Sequence, residues 1–527
     1  MYKLTKFIKL GSLTLVGVLG VWLLRPPVDE AAVRKTEHGE KPADVRFNIL
    51  FSPGWAYLPG STPFGIGTPL KGLTGAIAEF EARFPDTHIE VVNTPGVREY
   101  LVTQLSSGRA PDIINVNVED VWIDVQKGWY VALDPWLDEP NRFIREQGDP
   151  TQPGYDHWWD MFRYQAISRG KAAPDGLMYN LSYDMIETGI FYNKRIFEKV
   201  GVRVPANWEE FFAVMEKLQA AGYMPLLMSV DMFSDWGVDL VFDQLYYNLL
   251  PGIDLFKDPI REPYLQGYLD WDEICFLHDR GFFTRDDPRY VELWQHLRRL
   301  RKYVNKNLIS TDLVREFVIK RAAMAWYASP LVYRLEADRA LGFEWGVFYV
   351  PQFTATTSRF TSNTPMCVIG GAATQFEVTN SAFKDTGDPK TSPRLRRVME
   401  FLQFLCVPEY YVRIVNEYPC LISNIVGVQS LPPLKPFAEI LDRRYTTTKW
   451  VFTFDLRFSE IQRRMLELYL NDGIGLEGFL DWQERNLAAA CANVVLRKGI
   501  DEARLRAAWD AQSAARAMMM ELPDGAG

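Results

Sequence analysis

The sequence predicts an α/β protein of two lobes, the first built on a parallel, doubly wound sheet. Three observations predict it. The chain has 527 residues, too many for one ordinary hydrophobic core. Between residues 47 and 118, strand-like and helix-like segments alternate in the order β-α-β-α-β, the pattern of a parallel sheet with crossover helices. A second strand–helix–helix–strand run follows between Ile190 and Met228. The composition, 47% hydrophobic and 24% charged, is that of a globular chain.

Each element has a local reason. Lys3, Lys6 and Lys9 precede an apolar run from Leu10 to Leu24, the plan of a secretory signal. The run is shorter than the ~20 residues of a typical spanning helix, and Arg25-Pro26-Pro27 ends it. There is no A-x-A site and no Cys at positions 20–30, so residues 1–27 are expected to be a signal peptide or a retained membrane anchor. Residues 28–45, rich in Glu, Lys and Ala, read as a tether. Phe47–Phe51 reads as a strand, left by the loop Ser52-Pro53-Gly54-Trp55. Thr68-Pro69 reads as a helix start. Leu70, Leu73, Ile77, Phe80 and Phe84 then recur at steps of three and four, an apolar stripe facing a sheet, and Pro85 ends the helix. His88–Val92 is a strand, Val97–Leu105 a helix and Ile113–Val118 a strand.

Farther on, the strand Ile190–Tyr192 ends in Asn193-Lys194, and a short helix around Phe197 and Val200 stops at Gly201. Asn207 is a good N-cap with Glu210 three residues on, where a capping box can close. Phe211, Val214, Met215 and Leu218 keep helical spacing up to Gly222. Pro225–Met228 is the next strand.

The order Tyr192-Asn193-Lys194, Phe197, Gly201-Val202 and Pro205-x-x-Trp208-Glu209-Glu210-Phe211 resembles the extracellular solute-binding proteins of ABC importers, the sugar-type family that includes maltose-binding protein. Ser106–Asn117 (SSGRAPDIINVN) is similar to the same family, as are Gly128 and Leu133-Asp134-Pro135. Phe317–Met324 (FVIKRAAM) matches in part: Lys320 stands where the family has Gly, which puts the local turn in question. Trp345–Pro351 reads as the strand toward the hinge, and Pro365–Ala373 (PMCVIGGAA) as the crossing into the first lobe. Arg397–Leu405 matches the family's helix before Pro408, and Gly473–Ala490 its terminal helix pair. The resemblance spans roughly residues 46–495, with two poorly matched stretches at about 138–180 and 237–310.

The resemblance implies a periplasmic-binding-protein-like fold: two discontinuous α/β lobes joined by a hinge, with the ligand cleft between them. Residues 46–137 and 366–428 are expected in lobe one, 138–365 and 429–510 in lobe two, and 511–527 as a tail.

Ligands of open α/β sheets bind beyond the carboxyl ends of strands. That rule selects the Ser52–Tyr57 loop with Trp55, and the Asn115–Trp122 loop with Asn117, Glu119, Asp120 and Trp122. Glu119 and Asp120 suit vicinal hydroxyls, or simply cap the next helix; Asn117 offers donor and acceptor; Trp122 suits an apolar sugar face. In lobe two, Tyr183, Asp184 and Glu187 precede the Ile190 strand, and Asp235 and Trp236 lie in Asp231–Trp236, at the carboxyl end of the Pro225–Met228 strand. The resemblance adds Trp326 as a stacking residue. Gly370-Gly371 would let backbone N–H groups approach a ligand, or is only a tight crossover turn.

The net charge of −9 argues against nucleic acid. Five Cys (Cys275, Cys367, Cys406, Cys420, Cys491) leave at least one unpaired in a monomer. Their spacing and five scattered His lead us to expect no metal and no cofactor. Arg298, Arg299, Arg301 and Lys302 read as a solvated helix face. No G-x-S-x-G, H-E-x-x-H or Walker A loop is present, so the chain is expected not to be an enzyme. The resemblance implies an extracytoplasmic binder of a sugar or oligosaccharide that works by hinge closure with ABC permease subunits, as a monomer. A membrane-anchored sensor or scaffold and a carbohydrate-active hydrolase are the alternatives, and a polyamine or peptide is the alternative ligand.

Overall fold

The computed structural model describes residues 45–62, 68–94, 98–116, 124–163, 177–255, 269, 271–309, 313–366, 369–371, 374–438, 452, 455–498 and 500–520. The expectations for residues 1–27, for most of the tether and for Cys367 lie outside them. Eleven strands are described: β1 Phe47–Phe51, β2 Thr87–Val91, β3 Ile113–Ile114, β4 Asn180–Ser182, β5 Asp184–Asn193, β6 Met224–Leu227, β7 Ala322–Ala328, β8 Trp345–Phe348, β9 Ile369–Gly371, β10 Gln375–Val378 and β11 Ile422–Ser423.

The first sheet has the order β2-β1-β3-β10-β4. β1 is parallel to β2 and β3, and β10 is antiparallel to β3 and β4. Phe47, Ile49 and Phe51 are buried along β1. The helix Gly72–Arg83 covers the sheet with Leu73, Ala76, Ile77 and Phe80, and the Phe80 ring packs 5.1 Å from Phe401. This helix starts at Gly72 and not at Pro69. Its cap is tertiary: the Glu417 carboxylate accepts from the N–H of Lys71 at 2.9 Å and of Gly72 at 2.6 Å, placing a negative charge at the helix N-terminus. A Cβ on Gly72 would meet the Arg413 carbonyl oxygen at 2.4 Å, so only glycine fits there.

The second sheet runs β11-β5-β7-β6, with β8 and β9 also on β5. β6 is parallel to β7, and β5 is antiparallel to β7, β8 and β9. Its covering helix, Trp208–Ala220, buries Phe211, Val214, Met215 and Leu218. Asn207 caps it, accepting from Glu210 N–H at 2.9 Å. Glu210 reaches back to Ala206 N–H at 2.9 Å, one residue earlier than an ordinary capping box. Gly201 ends the preceding helix in the left-handed conformation, φ +72°.

Residues 138–163 and 177–183, expected in lobe two, belong with the first sheet. β4 pairs with β10, and Phe143, Ile144, Trp158, Met161 and Phe162 share one core with β1. The chain closes the edge of its first sheet before it leaves, at Tyr183. The described residues of the second poorly matched stretch are mainly helical. Val238–Tyr246 and Pro288–Arg301 lie in the second core with residues of Leu456–Leu470 and Leu476–Lys498. The three arginines of its basic run are engaged rather than merely solvated, while Lys302 is exposed as expected. Arg299 forms a two-pronged pair with Glu209 at 2.8 and 2.6 Å, Arg298 pairs with Asp472, and Arg301 donates to Asn471 at 2.6 Å. The expected tail also docks in part. In the helix Ser513–Met520, Arg516 is buried, donates to the Gly252 carbonyl at 3.3 Å and covers the Trp509 ring.

Cys275, Cys406, Cys420 and Cys491 are buried free thiols. Among the described residues, no helix is long and apolar enough to cross a membrane. Lys320 has φ +65°: the turn that glycine would make is kept, with lysine in a left-handed backbone.

Candidate ligand-binding site

At the carboxyl end of β1 the chain turns at Gly54, φ +78°. A side chain there would run into Asn115, whose Nδ2 would lie 2.1 Å from the new Cβ. Asn115 Nδ2 donates to the Pro53 carbonyl at 3.3 Å, so the loops after β1 and β3 are joined. The tight turn lifts Trp55 outward: it is 53% exposed, its ring edge-on to Tyr418 at 5.1 Å. After β3, the Val116 peptide is held on both sides. Its N–H donates to Glu377 Oε2 at 3.1 Å, and its carbonyl accepts from Gln375 Nε2 at 2.5 Å. Asn117, Glu119, Asp120 and Trp122 follow it and lie outside the described residues.

In the second sheet, β6 and β7 run parallel and deliver their ends side by side. The stretch Asp231–Trp236, at the carboxyl end of β6 as expected, is helical. Ser229 caps Val230–Met232, and a single π turn spans Phe233–Gly237. Insertions of this kind re-aim side chains and recur at functional sites. Trp236 sits on that turn, partly exposed, 6.0 Å from the Trp326 ring. Trp326, expected as a stacking surface, is 2% exposed within β7. It backs Trp236 rather than facing solvent, because its strand position points into the core. Its indole Nε1 is buried with no hydrogen-bond partner. Asp235 accepts from Ser234 Oγ at 2.8 Å. The guanidinium of Arg463 lies 2.9 Å from Asp231 and 3.9 Å from Asp235. Asp235 is thus committed to neighbours, though still partly exposed.

Tyr183, Asp184 and Glu187 were expected on the cleft wall, and all three are fully buried. They lie where β4 passes into β5, the strand that leaves the first sheet, and packing from both lobes closes over them. The Tyr183 hydroxyl donates to the Leu402 carbonyl at 2.8 Å. Asp184 accepts from the Tyr57 hydroxyl at 2.7 Å and from Thr374 N–H at 3.1 Å. The Glu187 carbonyl accepts from Ser329 N–H at 2.8 Å. Gly371 pairs with Ile186 and Ile369 with Glu187 across a register shift in β5, so Gly370-Gly371 form a strand edge beside the crossing.

Three passages of the chain meet at this crossing. Asn424, just past β11, donates through Nδ2 to the Asp184 carbonyl at 2.8 Å and to the Ser182 carbonyl at 3.3 Å. Tyr183 N–H donates to the Thr374 carbonyl at 3.2 Å. The Tyr411 hydroxyl donates to the Tyr183 carbonyl at 2.7 Å and touches the Tyr57 hydroxyl. Burial, and after it the Asp184 charge, pushes the Tyr57 and Tyr411 phenols well above their usual range. Tyr57, Thr374, Tyr411 and Asn424 went unrecognised in the sequence. Their partners lie up to 354 positions away, and no periodicity marks them.

The profile of the family described as bacterial extracellular solute-binding protein matches residues 67–409. A curated multiple sugar-binding protein of Streptococcus mutans is 26% identical over 157 residues, 30% of this chain and 33% of its own; the aligned segment thus spans about a third of that relative. Among solved structures, apo RafE from Streptococcus pneumoniae superposes with a TM-score of 0.55 at 16% identity, over 86% of this chain and 100% of that one. A cyclic α-maltosyl-1,6-maltose binding protein from Arthrobacter globiformis superposes with a TM-score of 0.56 at 16% identity, over 85% and 99%. At such identities the superpositions show the shared fold, two α/β lobes of the periplasmic-binding-protein type.

Proposed function

Because the chain belongs to the bacterial extracellular solute-binding protein family, we propose that it is the extracytoplasmic receptor of an ABC importer, capturing a carbohydrate between its lobes and delivering it to a permease. One observation carries the reading: tryptophans stand at the carboxyl ends of strands in both sheets, Trp55 after β1 and Trp236 after β6. Indole faces cover the C–H faces of sugar rings, while amides and carboxylates pair with hydroxyls. The sugar ligands named for the S. mutans and A. globiformis proteins support the same ligand class. Asn117, Glu119, Asp120 and Trp122 complete the proposed first-lobe contacts.

A ligand that touches both lobes gains contacts only when they approach. Its differential affinity for the shut state then drives closure about the three-passage hinge. The protein binds without turnover, acts as a monomer, and is held at the membrane by residues 1–27 or released by their removal.

Thermal denaturation of the protein with mono- and oligosaccharides, polyamines and peptides tests this. An oligosaccharide at a hundred times its dissociation constant stabilises the fold by about 2.7 kcal/mol. That gain should vanish in Trp55→Ala and Trp236→Ala. Recovery of the sugar cleaved would overturn the binding reading, and a response to polyamines or peptides alone would overturn the ligand class.

A further inference from the structure

The turn that carries Trp236 is held on two sides. The single π turn spans Phe233–Gly237, and the Val238 N–H reaches the Phe233 carbonyl, five residues back. On the core side, Phe233 is fully buried, and a Cβ on Gly237 would lie 3.1 Å from Leu297 Cδ2. On the outer side stand Asp231, just ahead of the turn, and Asp235, within it. One guanidinium reaches both. Arg463 Nε lies 2.9 Å from Asp231 Oδ1, and its Nη2 lies 3.9 Å from Asp235 Oδ1.

Arg463 stands on a firm element. In its helix, Leu456–Leu470, the Asp455 carboxylate caps the start by accepting from Phe458 N–H at 2.8 Å. Phe458, Leu466, Tyr469 and Leu470 lie in the second core. Gln462, the residue before Arg463, is buried and donates to Gln483 on the helix Leu476–Lys498 at 3.3 Å. The cation thus comes from a regular helix, and the turn it meets is the irregular partner. Among the described residues, Arg463 is the cation that pairs with Asp231. Its Nε is buried but not aligned for a hydrogen bond, so the pair acts by charge. The Arg463 and Asp231 side chains are 42% and 61% exposed, and ion pairs so exposed add little to global stability. Such a pair can still choose the register of one turn. A π turn differs from regular helix by one inserted residue, and each residue turns a regular helix by about 100°. Losing the insertion would swing Trp236 off the Trp326 ring, 6.0 Å away.

We propose that Arg463 is the positioning residue of the second-lobe indole. Its charge ties Asp231 and Asp235 to the helix Leu456–Leu470 and holds the π turn in the register that sets Trp236 against Trp326. Trp236 is next to Asp235 in the chain, so the pin acts one residue from the indole. The core side of the turn fixes its depth, and Arg463 fixes its rotation. The weaker ligand capture that follows from losing Arg463 rests on the solute-binding reading. The register of the turn does not, and it is read without ligand.

Fluorine NMR of the full chain, labelled with 5-fluorotryptophan and free of ligand, tests the pin. The Trp236 resonance is the one lost in Trp236→Phe, and the Trp55 resonance the one lost in Trp55→Phe. Arg463→Gln removes the charge and keeps part of the stem. It should move the Trp236 resonance, leave that of Trp55 in place, and melt within about 2 °C of wild type. Arg463→Lys keeps the charge and should bring the resonance back toward its wild-type position. Asp231→Asn should move the resonance in the same direction as Arg463→Gln. Added to Arg463→Gln, it should move it no farther, because the contact is already gone. A Trp236 resonance that Arg463→Gln leaves unmoved overturns the proposal. So does a shift that Arg463→Lys leaves in full, or one that simply adds in the double variant. If Arg463→Gln does not fold, Asp231→Asn decides, and an unmoved Trp236 resonance there sinks the pin.

Discussion

The two sheets end in tryptophans of different character. After β1, Trp55 projects from a glycine turn and is 53% exposed, touching one ring edge-on. After β6, Trp236 lies on a π turn with Trp326 behind it, and Trp326 is 2% exposed. In the first lobe the indole has little to do with stability and is free to be covered by something else. In the second, an outer indole is held in place by an inner one that belongs to the core. A ligand contact that costs no ordering on binding is the stronger one, so the second lobe is the better-organised half of the proposed site. The first lobe depends on what fixes its loop, the Asn115 contact and the Tyr57–Asp184 bond.

Truncating the three indoles separates these roles. Trp326→Ala removes a fully buried side chain from β7 and should cost about 3–5 kcal/mol of unfolding free energy. Trp236→Ala, partly exposed, should cost roughly 1–2 kcal/mol, near the ordinary value for a substitution. Trp55→Ala should stay within about 0.5 kcal/mol. Chemical denaturation of the three variants gives the order. Equal losses for Trp55 and Trp236 would erase the contrast between the lobes.

Acid should separate the second lobe's core by a different route. His296 lies on the helix Pro288–Arg301 and is buried, 4.6 Å from the Phe353 ring and 6.4 Å from Trp208. Burial, then the nearby Arg299 charge, lowers its pKa to about 4. The unfolded chain takes up this proton near pH 6.5 while the folded one resists it. Stability is therefore complete above about pH 6.5 and falls as pH drops toward 4. The drop approaches about 3 kcal/mol. Denaturation midpoints measured from pH 7 to 4 should show this slope in wild type and lose most of it in His296→Gln. An unchanged slope would assign the acid sensitivity elsewhere.

The elements legible in the sequence are those with local causes. The stripe from Leu70 to Phe84 is buried as its spacing implies, and Asn207 caps its helix through Glu210 N–H. Illegible were the features made by distant partners. The start of the Gly72 helix is set by Glu417, and residues 138–163 and 177–183 join the first lobe because β4 finds β10 nearly two hundred residues later. Asp184 looked like a cleft carboxylate because it precedes a strand. Tyr57, Tyr411 and Asn424, each remote in sequence, make it a hinge residue. Trp326, expected from the resemblance as a stacking residue, lies on the core side of β7; a strand residue's two faces look alike until the sheet's neighbours are known.

Lys320 gives the smallest and most local test of the second lobe. It occupies a left-handed turn, φ +65°, two residues ahead of β7, the strand that carries Trp326. A non-glycine residue in that conformation costs about 1–2 kcal/mol. Glycine relieves it, and the larger unfolded-state entropy of glycine returns about 0.5–1 kcal/mol of the gain. The lysine ammonium also lies 5.9 Å from the Phe343 ring centre, a contact worth about 0.5 kcal/mol at an exposed site. Lys320→Gly should therefore raise stability by only about 0.2–0.3 kcal/mol, whereas Lys320→Ala keeps the strained backbone, loses the ring contact and should fall slightly below wild type. If both variants shift together, the side chain decides the turn. If only glycine gains, the backbone does, and this turn carries strain into the start of the strand that backs Trp236.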